Sequence, residues 1–123
     1  MRILYVEDNP ELRETIGALM EGEGQTVTAV ATAEEALELE ARQPFDVLVS
    51  DVSLPGLSGT DLARKVLAND PHRWVVLCSG YELGHYPGAW GPNVRALLKP
   101  FDVEELEALL GSIRASVQGR AAA

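Results

Sequence analysis

Apolar residues come in short blocks, with stretches of helical spacing between them. Residues 2–6 (RILYV) form an apolar run that ends in acids and Asn-Pro, which predicts a buried strand. Asn9 stands as an N-cap with Pro10 at the first helical position. Leu12, Ile16, Leu19 and Met20 follow at helical spacing until Gly22 and Gly24 stop the helix. The β-branched run at 26–30 (TVTAV) predicts a second strand. Thr32 and Glu35 form a capping box that opens a helix through about residue 42. Residues 46–50 (DVLVS) are the third predicted strand, closed by Asp51. Ser58 caps a short helix that carries Leu62, Val66 and Leu67 and ends at Pro71. Strands four and five follow at 74–78 (WVVLC) and 94–98 (VRALL). Asp102 and Glu105 make another capping box, and Leu106, Leu109, Leu110, Ile113 and Val117 line one face of a last helix.

Strands that alternate with helices predict a parallel sheet covered on both faces. Right-handed crossovers leave few ways to wind five such units. The expected class is α/β: a doubly wound, five-stranded, flavodoxin-like sheet in the order 2-1-3-4-5. Between strands four and five the stretch GYELGHYPGAWGPNV is rich in Gly and Pro, so the fourth helix of this winding is expected to be shortened or irregular. Residues 1–117 are expected to form one domain. Residues 118–123 (QGRAAA) carry no identifiable chemistry and read as a disordered tail or cloning scar.

The length of 123 residues fits one domain with one core. No run approaches the roughly 18 apolar residues of a membrane span, and the N-terminus has no apolar secretory region. The net charge of −9 disfavours direct nucleic-acid binding and suits a soluble partner or a metal cation. A single cysteine, Cys78, forms no intrachain disulfide, which fits a reducing, cytoplasmic setting. Its place inside WVVLC marks it as a buried core residue.

In a sheet of this winding, ligands bind beyond the carboxyl ends of the strands. Polar residues gather at those ends: Glu7 and Asp8 after strand one, Asp51 after strand three, Ser79 after strand four and Lys99 after strand five. Three carboxylates against one ammonium leave a net charge of −2, which one divalent cation cancels. All-oxygen ligands favour Mg²⁺ or Mn²⁺ over zinc. With the cation in place the site can accept a phosphoryl group, whose other oxygens Lys99 and the Ser79 hydroxyl would hold.

These residues, in this order, resemble the receiver domains of bacterial response regulators. The marks are VEDN at 6–9, DVSLPGLSG at 51–59, SG at 79–80 and KPF at 99–101, and the resemblance runs from Arg2 to about Val117. It implies a signalling switch rather than an enzyme. Asp51 would take a phosphoryl group from a histidine kinase or histidine phosphotransfer protein. Glu7, Asp8, Asp51 and the backbone carbonyl of Ser53 would hold Mg²⁺. Ser79 would grip the phosphorylated state, Lys99 would pair with the phosphoryl oxygens, and the Lys99–Pro100 bond would be cis.

Two departures from the family pattern stand out. Ala96 occupies the place of the usual Tyr or Phe three residues before the lysine, so an aromatic rotamer switch cannot operate there. The broken stretch after Ser79-Gly80-Tyr81 resembles receivers attached to hybrid histidine kinases. Together the departures motivate an alternative, a pseudo-receiver that signals by contact without phosphorylation. A haloacid-dehalogenase-type phosphatase expects its aspartate nucleophile on strand one in a D-x-D pattern, which Glu7-Asp8-Asn9-Pro10 does not supply. Tyr81, Tyr86 and Trp90 read first as packing over the sheet and second as a docking patch, and His72 and His85 as surface residues.

Overall fold

The computed structural model describes residues 1–22, 24–81 and 90–122, with 119–122 as backbone only. Five strands and four helices run in the order β1 (Arg2–Val6), α1 (Pro10–Met20), β2 (Thr26–Val30), α2 (Ala33–Arg42), β3 (Val47–Asp51), α3 (Gly59–Asn69), β4 (Trp74–Ser79), β5 (Val94–Leu98) and α4 (Val103–Ala122). All strand pairs are parallel, and the sheet order is β2-β1-β3-β4-β5, as the alternation of strands and helices predicts.

The two faces of the sheet bury different residues because side chains alternate along each strand. Leu4, Val6, Leu48, Val75 and Leu77 pack against Ala33 and Ala36 of α2 and Leu62, Val66 and Leu67 of α3. Ile3, Tyr5, Val47, Val49, Val76 and Cys78 pack against Met20 of α1 and Leu106, Leu110 and Ile113 of α4. The caps form as the sequence predicts. Asn9 accepts from the Glu11 and Leu12 amides, Thr32 from Glu35, Ser58 from Asp61, and Asp102 from Glu105.

Two boundaries move by a residue at the functional end. β3 runs through Asp51, which pairs with Cys78, and β4 runs through Ser79, which pairs with Leu98. Both residues are thereby held in the ladder rather than in the loops that follow. α4 continues past Val117 to Ala122, through residues expected to form a tail. The stretch expected to hold an irregular fourth helix lies largely outside the described residues, as do His85 and Tyr86. Ala96 and Leu98 of β5 are exposed, and Trp90 packs against the α2–α3 side of the core with the Arg64 guanidinium 5.2 Å from its ring.

Gly59 opens α3 in unusually close contact with β3. A Cβ there would lie 1.8 Å from the Asp51 carbonyl oxygen, so no other residue fits without moving the backbone. The Gly59 amide donates to the Val52 carbonyl at 3.0 Å, which fixes the start of α3 directly below the end of β3.

Candidate functional site

The ends of β1, β3, β4 and β5 converge on one carboxylate-rich site. Oxygens of Glu7, Asp8 and Asp51 lie within 4.8 Å of one another. Lys99 Nζ donates to Asp51 Oδ2 at 2.9 Å and stands 3.7 Å from Glu7 Oε1. Ser79 is buried beside them, and its Oγ accepts from the Tyr81 amide at 3.1 Å. The Lys99 amide donates to the Ser79 carbonyl at 2.7 Å, which ties the end of β5 to the end of β4. The Lys99–Pro100 peptide bond is cis, as the family resemblance implies.

The three carboxylates differ in setting. Asp8 is exposed and faces an open cleft of about 620 Å³ that it shares with Ser53, Ser58, Thr60 and Tyr81. Glu7 is buried, and its Oε2 accepts from the Asn9 amide at 3.2 Å. Burial pushes the Glu7 carboxyl above its ordinary value, against the lowering effect of that hydrogen bond and of Lys99. The floor of the site explains the cost. A largely apolar cavity of about 410 Å³ runs beneath Glu7, Asp51 and Lys99, walled by Leu12, Ile16, Cys78 and Phe101. For Lys99, burial acts to lower the ammonium. The hydrogen bond that Lys99 donates to Asp51 and the charges of Asp51 and Glu7 outweigh it and hold the group above its ordinary value.

This donor set suits a small hard cation. All its side-chain donors are oxygens, and the excess negative charge is only partly met by Lys99. Ser53 lies in the loop just beyond Asp51, on the same cleft as Asp8. Cys78 takes no part: burial pushes its thiol up to about 12, which leaves it protonated and inert.

All six residues singled out in the sequence thus fall at this end of the sheet. One contributor escaped the sequence reading. Arg13 of α1 donates from Nη1 to the Glu7 carbonyl at 2.9 Å and so pins the turn that presents Glu7 and Asp8. In ELRET it looks like any charge on a solvated helix face; only its spacing, one and a half turns beyond Glu7-Asp8, offers a cue.

The sequence profile described as "Response regulator receiver domain" matches residues 3–111. The two-component response regulator PhoP of Pseudomonas aeruginosa is 33% identical over 121 residues, which cover 92% of this chain and 51% of that protein. The chain thus spans about half the length of that relative. The response regulator receiver protein CpdR of Brucella abortus is 29% identical over 107 residues, covering 85% of this chain and 89% of that one. Among solved structures, the receiver domain of the hybrid histidine kinase CckA superposes with a TM-score of 0.75 at 33% identity, covering 93% of this chain and 99% of that one. The Thermotoga maritima response regulator TrrA, solved with Mg²⁺-BeF, gives a TM-score of 0.78 at 25% identity, over 91% and 97% of the two chains. Sequence, fold and the carboxylate cluster agree: the chain belongs to the response regulator receiver domain family.

Proposed function

We propose that Asp51 is the phosphoacceptor of this switch and that a histidine kinase or histidine phosphotransfer protein is its donor. The observation that carries the reading is the Lys99–Asp51 contact at 2.9 Å inside a cluster of three carboxylates. An Asp51 carboxylate oxygen attacks the phosphorus of a phosphohistidine. The P–N bond breaks, and the imidazole nitrogen leaves with its electron pair. Glu7, Asp8, Asp51 and the Ser53 carbonyl would hold Mg²⁺, or Mn²⁺ in its place, which would neutralise the phosphoryl charge. Lys99 already lies against Asp51 and needs only a small swing of its amine to pair with a phosphoryl oxygen. Ser79 Oγ, now an acceptor for the Tyr81 amide, has its hydroxyl proton free to donate to another.

The wider setting follows from the same reading. The likeness to the CckA receiver supports a hybrid-kinase context for the domain. The net charge of −9 would repel a nucleic-acid backbone, so the domain acts on protein partners, in the cytoplasm. No helix among the described residues is long and apolar enough to cross a membrane. Residues 1–117 suffice for the switch, and 118–123 are dispensable.

A titration of the amide NMR spectrum with Mg²⁺ and then beryllofluoride tests the assignment. Large shifts at Ser53, Ser79 and Lys99 are expected. A spectrum unchanged at those three positions would contradict phosphorylation at this site and point to signalling by contact alone.

A further inference from the structure

The loop that follows Asp51 is pinned by backbone hydrogen bonds at its ends and makes few hydrogen bonds between them. The Val52 amide donates to the Cys78 carbonyl at 2.9 Å, and the Gly59 amide to the Val52 carbonyl at 3.0 Å. Among the described residues, 53–57 make one hydrogen bond: the Leu57 amide donates to Glu34 Oε2 at 3.3 Å. A second observation places the same oxygen across the turn. Gly56 has φ of +73°, and a Cβ built on it would lie 2.8 Å from Glu34 Oε2. The carboxylate therefore lies against the tip of the loop, in space left by a glycine.

Glu34 is itself well placed to hold something. It is the second residue of α2, whose N-terminus is fixed by the Thr32 cap and by the fully buried Ala33 and Ala36. Its carboxylate stands apart from the group formed by Glu7, Asp8 and Asp51. The loop it touches carries Ser53, whose backbone carbonyl is assigned above to the metal. A backbone carbonyl points where its peptide plane points, and Mg²⁺ demands near-ideal octahedral geometry, so the conformation of the loop decides whether the Ser53 oxygen fits.

We propose that Glu34 is a positioning residue, which orders the loop carrying Ser53 and so sets the affinity of the site for Mg²⁺. The inference rests on the receiver reading of the site. Glu34 touches neither metal nor phosphoryl group; it acts through the Leu57 amide and the Gly56 turn. Leu54 and Leu57 also hold the loop by packing on the core, so the loop persists without Glu34 but is looser.

The test compares the wild type with Glu34→Ala and Glu34→Gln. Amide hydrogen exchange at Leu57 in metal-free protein reads the contact directly. An NMR titration with MgCl₂ reads the affinity, and phosphoryl uptake from acetyl phosphate is followed at limiting and at saturating Mg²⁺. Glu34→Ala is expected to speed Leu57 exchange and weaken Mg²⁺ binding about threefold to tenfold, the weight of one hydrogen bond. Its uptake should be slow at limiting Mg²⁺ and recover at saturation. Glu34→Gln keeps a carbonyl acceptor and should restore both exchange and affinity. A wild type that binds Mg²⁺ beside an Ala variant with unchanged exchange and affinity would overturn the proposal alone, as would a Gln variant no better than Ala. A wild type that neither binds Mg²⁺ nor takes up a phosphoryl group would overturn the receiver reading with it.

Discussion

Glu7 shows how a side chain that costs stability by its burial can still be kept for what the fold brings to it. Its carboxylate is buried over an apolar cavity, and burial lifts the group above its ordinary value of 4.5. Between the unfolded value and the higher folded one, the folded protein holds a proton that the unfolded chain has already lost. Stability is therefore greatest below the unfolded value and falls as pH rises through the higher folded one. Glu7→Gln removes this loss and keeps an acceptor for the Asn9 amide. In EDTA at neutral pH its thermal midpoint should exceed that of the parent, and the gap should close as the pH is lowered. With Mg²⁺ the order should reverse, because the parent gains a ligand bond. Thermal melts at several pH values, with and without metal, check both. At this scale the sequence was informative about Asp51, Ser79 and Lys99 because each ends an apolar run. Glu34 and Arg13 were opaque, since their partners are a backbone amide and a carbonyl that only the fold brings near.

Between elements, two contacts set how the helices sit on the sheet. The first is Gly59. Gly59→Ala would drive a Cβ into the Asp51 carbonyl, a backbone atom that no rotamer change can clear. The expected cost is about 1–3 kcal/mol, the range for overpacking, and denaturant unfolding measures it. Phosphoryl uptake should fall as well, because the displaced backbone is that of Asp51. The second is the bidentate pair of Arg73, just before β4, with Glu40 of α2, at 2.9 and 2.5 Å. Both side chains are largely buried, and Arg73 Nε has no partner among the described residues. Glu40→Ala strands a buried charge and should cost about 3–5 kcal/mol. Glu40→Leu with Arg73→Met should recover most of that loss, which a double-mutant cycle on the same unfolding curves would show. Strands and caps were legible because fully buried runs and side-chain caps are local signals. The Arg73–Glu40 pair was not, as its partners lie far apart in the chain. α4 runs on into QGRAAA for another reason: its Gln, Arg and alanines favour the helix and outweigh the single Gly119.

For the whole molecule, the sheet order β2-β1-β3-β4-β5 does the functional gathering. It sets β1 beside β3, so that Glu7 and Asp8 meet Asp51, and it brings Lys99 in from the end of β5. Alternation of strands and helices, with right-handed crossovers, made this order readable before any coordinate. Distances within the site were not readable, and they decide that Lys99 reaches Asp51 and Glu7 at once. The central claim is that this gathering makes Asp51 a phosphoacceptor. Intact mass after incubation with Mg²⁺ and acetyl phosphate, beside an Asp51→Asn control, tests it most directly. The parent should gain one phosphoryl group, lose that gain when EDTA replaces Mg²⁺ from the start, and the control should gain none. No gain in a folded parent, or an equal gain in the control, would contradict it.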